Sequence, residues 1–174
     1  YTIVNQYSFE DISQLLFRYG EEPFAKAIAR KIEEKRKEAP IRTTLELVEI
    51  IRSALPAKVL RSKGHPAKQT FQALRIAVND ELRVFEKSIL DALELLNKNG
   101  RAVVITFHSL EDRICKMIFK EKSTIQIPKG IPMIIKDQPD FELITKKPFL
   151  PSEEEIEFNN RAHSAKMRCI EKTK

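Results

Sequence analysis

The chain has 174 residues, and 31 Lys+Arg against 25 Asp+Glu leave a formal net charge of +6. A composition 42% hydrophobic and 32% charged excludes a disordered chain and suits about one domain, or one and a half, with a buried core. There is no apolar run of the ~20 residues a membrane helix needs and no charged-then-apolar leader, and the two cysteines, Cys115 and Cys169, cannot make a disulfide framework, so a reducing, cytoplasmic setting is expected.

The first hundred residues read as consecutive helices. Ser8 can cap a helix that carries Ile12, Leu15, Leu16 and Tyr19 on one face and ends at Gly20. Glu21, Glu22 and Pro23 suit the first turn of a second helix, which buries Phe24, Ala27, Ile28 and Ile32 and stops before Pro40. Thr43 and Glu46 form a capping box for a third, whose stripe is Leu47, Ile50, Ile51 and Ala54. Residues 56 to 69 then read as a loop and a domain junction. Lys58, Arg61, Lys63 and Lys68 appear there with no acid among them, so the stretch is either a solvated linker or a phosphate-contacting loop.

One long helix is expected next, with a seam from Phe71 through Val78 and Phe85 to Leu93, stopped by the residues before Gly100. The run Ala102 to Phe107 is apolar without alternation, which reads as a strand buried on both faces in a parallel sheet. Ser109, with Asp112 three residues on, can cap the following helix. The stretch 123–139 reads as irregular, Phe141 to Thr145 as a strand, Ser152 to Asn159 as a short helix and Lys166 to Glu171 as a final strand.

In an open α/β sheet, ligands lie beyond the carboxyl ends of the strands. Phe107-His108-Ser109-Leu110-Glu111-Asp112-Arg113 occupies that position and gathers an imidazole, a hydroxyl, two carboxylates and a guanidinium. Each has a plain structural alternative: a cap for Ser109 and Asp112, a bonded loop histidine for His108, an ion pair one turn away for Arg113. No metal motif, no nucleophile elbow and no glycine-rich phosphate loop accompanies them, so residue chemistry alone names no reaction.

Four blocks resemble the family of 16S ribosomal RNA cytosine-N4 methyltransferases of the MraW type. They are Phe17 to Glu22 with Ala25-Lys26 and Ile28-Ala29; His65-Pro66-Ala67 running into Thr70 to Ile76, Val78-Asn79 and Glu81-Leu82; Phe107 to Arg113; and Thr145 to Pro148 with Pro151 to Glu155, Asn159, Arg161, Ala162, Ser164 to Lys166 and Arg168. The departures are Thr106 where a serine is usual, Asn160 where a proline is usual and His163 where an arginine is usual.

The resemblance implies an α/β fold: part of a class I, Rossmann-like methyltransferase sheet with an inserted helical domain. Residues 1–66 would be the inserted, substrate-recognising domain, and 67–174 the carboxyl-terminal part of the methyltransferase domain. It implies S-adenosylmethionine as cofactor, held by a glycine-rich segment that would precede Tyr1, so that no residue of this chain binds it and no metal is called for. The partners implied are 16S rRNA or the small ribosomal subunit, no membrane, and either the missing amino-terminal half or a second copy of the chain. His108, Ser109, Glu111 and Asp112 are then expected at the pocket edge near the target base. Gln72, Arg75, Asn79, Arg113, Arg161, Lys166 and Arg168 are expected to contact RNA or hold the site together. The rival expectation is a non-catalytic module that binds RNA or the ribosome.

Overall fold

A computed structural model describes residues 1–62, 64–125 and 138–174, so most of the irregular stretch expected at 123–139 lies outside the described residues. The chain forms two compact units, Tyr1–Glu81 and Leu82–Lys174. The basic stretch at 56–69 falls inside the first unit rather than at its end. Among the described residues, no helix is long and apolar enough to cross a membrane.

The first unit is helical: α1 (Thr2–Gln6), α2 (Phe9–Gly20), α3 (Ala25–Glu38), α4 (Thr44–Ala54), α5 (Ala57–Leu60) and α6 (Lys68–Asn79). The start signals act as expected at α2 and α4. The Asp11 amide donates to Ser8 Oγ at 3.0 Å. At α4 the Glu46 amide donates to Thr43 Oγ1, while Glu46 Oε2 accepts from the amides of Arg42 and Thr43. One core holds the unit together, with Ile12, Leu16, Ile28, Ile32, Ile51 and Ala73 among its most buried members.

Several local features differ from expectation. Glu21-Glu22-Pro23 is a turn and not a helical start: Glu22 is buried and its carboxylate accepts from the Phe24 amide, so α3 begins only at Ala25. Gly20 does not supply the left-handed residue after α2; Glu21 does, at φ 49°. Gly20 is there for a close approach, because a Cβ on it would stand 2.7 Å from the Gln69 carbonyl oxygen on α6. The supposed loop at 56–69 contains α5. The long helix is two, since Asp80 takes φ 52° and separates α6 from α7 (Glu81–Leu95).

The second unit packs α7 and α8 (Ser109–Lys122) on a three-stranded sheet of β1 (Arg101–Thr106), β2 (Phe141–Leu143) and β3 (Lys166–Lys172), with α9 (Glu153–Phe158) and a 3-10 turn (Asn160–Ser164) between β2 and β3. Its core gathers Ile89, Leu93, Cys115, Ile118, Phe119, Phe141 and Ile170. The sheet order is β1-β3-β2 and both pairings are antiparallel, so the parallel pairing expected of β1 is absent among the described residues. Nor is β1 buried on both faces. Ala102, Val104 and Thr106 face the helices, while Val103 is 56% exposed and Ile105 54%. The apolar run misled because a strand whose second face is open, at a sheet edge, carries the same residues as one covered on both sides.

Candidate functional site at the carboxyl end of the edge strand

Thr106 ends β1, Phe107 follows it, and α8 starts at Ser109. The N-cap of α8 is His108 and not Ser109. His108 Nδ1 accepts from the Glu111 amide at 3.4 Å, and Glu111 Oε2 accepts from the amides of Phe107 and His108 at 2.9 and 3.3 Å. A ring nitrogen that accepts carries no proton, so the neutral ring is protonated on Nε2. That Nε2 is buried, and among the described residues it has no hydrogen-bond acceptor. Its nearest acidic neighbour is Glu111 Oε1 at 3.3 Å, and the His108 side chain helps to hold that carboxylate ionised.

Asp112, freed from the cap, turns toward β3. Arg168 donates to it with both arms, Nε to Oδ1 at 2.7 Å and Nη2 to Oδ2 at 3.1 Å, and Lys166 Nζ stands 3.6 Å from Oδ2. The Arg168 side chain is 8% exposed and that of Asp112 13%. The hydrogen bonds from Arg168 hold the Asp112 carboxyl below its usual range, helped by the charges of Arg168 and Lys166 and opposed by burial. At Glu111 burial pushes the carboxyl up, but the His108 side chain and the Phe107 and His108 amides outweigh it and leave it lowered. Both carboxylates are therefore ionised at neutral pH. Cys115, beneath the site, has its thiol pushed up to about 11 by burial and offers no thiolate.

The structure thus brings together His108, Glu111, Asp112, Lys166 and Arg168 from one end of the sheet, with Ser109 exposed in the first turn of α8. Arg113 is exposed on α8, and Arg161 is exposed on the 3-10 turn that leads into β3. Gln72, Arg75 and Asn79 belong to the first unit, where they hold a junction. Gln72 donates to the Tyr19 carbonyl at 3.4 Å, while Arg75 and Asn79 both donate to Glu81. Thr106 was not foreseen as part of the site. Its hydroxyl donates to the Lys166 carbonyl at 3.3 Å and ties β1 to β3 at the site's floor. Among the described residues no group of three or more His, Cys, Asp or Glu could hold a metal ion.

A relative named ribosomal RNA small subunit methyltransferase H, from Streptococcus dysgalactiae subsp. equisimilis, is 58% identical over 173 residues, covering 99% of this chain and 55% of that relative. The chain spans about half the length of the curated relative it matches. A family profile described as the MraW methylase family matches residues 1–173. With nearly every residue inside that match, this chain belongs to the MraW methylase family.

Proposed function

We propose that this chain is part of an S-adenosylmethionine-dependent methyltransferase that acts on small-subunit ribosomal RNA, at the N4 amine of a decoding-centre cytidine. Family membership and the relative's name support RNA methylation. The structural observation that supports the site assignment is the gathering of His108, Glu111, Asp112, Lys166 and Arg168 at the carboxyl end of β1.

A cytosine N4 is a poor nucleophile because its lone pair is delocalised into the ring. The enzyme must align that amine and accept its proton. In this reading His108 is a donor rather than a base. Its Nδ1 is committed to the Glu111 amide, so we assign to its Nε2–H, 3.3 Å from Glu111 Oε1, the role of donor to the base once substrate binding opens the pocket edge. Glu111 and Asp112, both held ionised well below neutral pH, are weak proton acceptors. They serve orientation: Glu111 locks the turn that carries His108, and Asp112 anchors α8 to Arg168 on β3. We assign Arg113, Arg161 and the partly exposed Lys166 to RNA phosphates, and Gln72, Arg75 and Asn79 to stabilising the helical unit.

S-adenosylmethionine calls for a glycine-lined cradle and a free carboxylate for its ribose. The described residues do not fit it. Gly20, Gly64 and Gly100 stand far apart in the chain, and Glu111 and Asp112 are taken by amides and by Arg168. We therefore assign the cofactor site to the remainder of the longer protein.

The test uses the longer protein, methyl-labelled cofactor and small-subunit rRNA, with the label located after digestion to nucleosides. Label in N4-methylcytidine is expected, and His108→Ala is expected to lower kcat at least tenfold while cofactor affinity is unchanged. Label on another base refutes the assignment. RNA binding with no transfer would instead mark a non-catalytic module. Calorimetry on the 174-residue chain is expected to show no cofactor binding, and a clear heat would overturn the placement of that site.

A further inference from the structure

One stretch of the chain carries cations and no acid. Between Glu49 and Asp80 there is no acidic residue, and the cations there are Arg52, Lys58, Arg61, Lys63, Lys68 and Arg75. Those six equal the whole formal surplus of +6; the remaining 25 cations meet 25 acids. An evenly basic surface would point only to solubility, whereas thirty successive residues with six cations and no acid are an electrostatic footprint.

The structure shows how the middle of that segment is held. Leu55 and Ala67 are buried in the helical core and pin its two ends, and Val59 and Leu60 pack partly against the same core. Lys58, Arg61 and Lys68 are exposed. Local bonds shape the return: the Ala67 amide donates to His65 Nδ1, and the Lys68 amide to the His65 carbonyl. Gly64 takes φ 112°, a conformation that side-chain-bearing residues rarely adopt. Arg61 is steadied through Nε, which donates to the Ala57 carbonyl at 3.2 Å. Among the described residues none of these three cations is paired with a carboxylate. The exposed lysines of α3 contrast with them: Lys31 and Lys35 are neutralised by Glu34 and Glu38 at 2.7 and 3.0 Å.

We infer that the segment from Pro56 to Lys68 is a phosphate-contacting strap, through which Lys58, Arg61 and Lys68 grip the sugar-phosphate backbone of an RNA. This rests on the RNA-methylating reading above and adds the surface that holds the substrate. The strap suits a phosphodiester backbone better than a lipid surface, because its larger apolar side chains, Val59 and Leu60, pack inward and leave no hydrophobic wedge to enter a bilayer. Unpaired cations on a pinned segment position a nucleic acid without reading its bases.

The experiment measures binding of small-subunit rRNA to the longer protein across a series of salt concentrations, with methyl transfer followed alongside. Each lost phosphate contact reduces the salt slope by about 0.7 for single strands and 0.9 for a duplex. Lys58→Gln, Lys68→Gln and Arg61→Gln together are expected to flatten the slope by about 2–3, raise KM for RNA and leave kcat and cofactor affinity unchanged. Arg61→Lys and Lys68→Arg, which keep the charge, are expected to keep the slope. Gln at Lys31, Lys35 and Lys37 on α3 is the control and is expected to change it little. A triple variant with parental slope and KM overturns the inference, as does an equal loss in the α3 control. The binding measurement decides this even if no methyl transfer is seen, and absent transfer by the unsubstituted protein would count against the proposed function instead.

Discussion

Replacing Arg168 with Met tests whether the site is held from β3. The guanidinium is 8% exposed and gives Asp112 two hydrogen bonds, at 2.7 and 3.1 Å. Without it a nearly buried carboxylate keeps only Lys166, at 3.6 Å and itself more exposed. Breaking a buried pair by removing one partner costs about 3–5 kcal/mol. Lys166 and the residual exposure put this case at the low end, about 3 kcal/mol. At about 2–4 °C per kcal/mol for a chain of this size, Tm should fall by about 6–12 °C. Adding Asp112→Asn removes the stranded charge and should recover part of the loss, a coupling of about 1.5 kcal/mol or more in a double-mutant cycle. The pH dependence has a definite sign. The folded carboxyl of Asp112 is lowered, so its stabilisation is present above the unfolded value of about 3.9 and is lost as pH falls through the lower, folded value. The parent should therefore lose stability below about pH 4 more steeply than Asp112→Asn. Thermal unfolding of the four proteins measures all of this. An Arg168→Met variant within about 0.5 kcal/mol of the parent, with no coupling to Asp112, would refute the reasoning.

Two further outcomes follow from packing. Gly20→Ala improves helix propensity by about 1 kcal/mol, yet its Cβ would meet the Gln69 carbonyl at 2.7 Å and Ala73 Cβ at 3.3 Å. Backbone cannot yield as a side chain can, so net destabilisation of about 1–3 kcal/mol is expected in urea unfolding, and a stabilised variant would show that α2 and α6 separate freely. The 174-residue chain alone should self-associate, because β1 is an edge strand whose outer face exposes Val103 and Ile105. Sedimentation should show this association reduced by Val103→Lys with Ile105→Lys, and a clean monomer of the unsubstituted chain would sink the idea.

Local signals in the sequence were reliable where the decisive contacts are local. The caps at Ser8 and Thr43 use partners three residues away, and both are present. The break at Asp80 was hidden because the apolar seam keeps its three- and four-residue steps across it, and one left-handed residue leaves no mark in that pattern. The start of α8 was ambiguous for another reason. His108 with Glu111 and Ser109 with Asp112 are overlapping three-residue boxes, and Ser is the commoner cap. What separates them is Arg168, 56 residues beyond Asp112, which engages that carboxylate and leaves the cap to Glu111. No local reading contains that choice.

The same long-range dependence makes the site a product of sheet register. Val104 stands opposite Arg168 and Thr106 opposite Lys166, so both cations lie on one face of β3 beside the start of α8. Side chains alternate along a strand, so a slip of one residue would replace them with Met167 and Cys169 and leave Asp112 unanswered. One side-chain link opposes that slip at the site's own end of the β1–β3 pair, the Thr106 hydroxyl to the Lys166 carbonyl, while reciprocal amide–carbonyl bonds between Phe149 and Met167 tie the same stretch of β3 to the segment that follows β2. The residues that fix the register therefore also fix the imidazole. Asp112 is held to β3, the first turn of α8 carries Asp112 and Glu111 together, and Glu111 in turn bonds the two amides that set the path of the chain through His108. An orienting group reached through such a chain of contacts is sensitive to substitutions on β3 that touch no substrate. On this argument Arg168→Met should impair orientation of the base as well as stability, and Thr106→Val should do so more mildly.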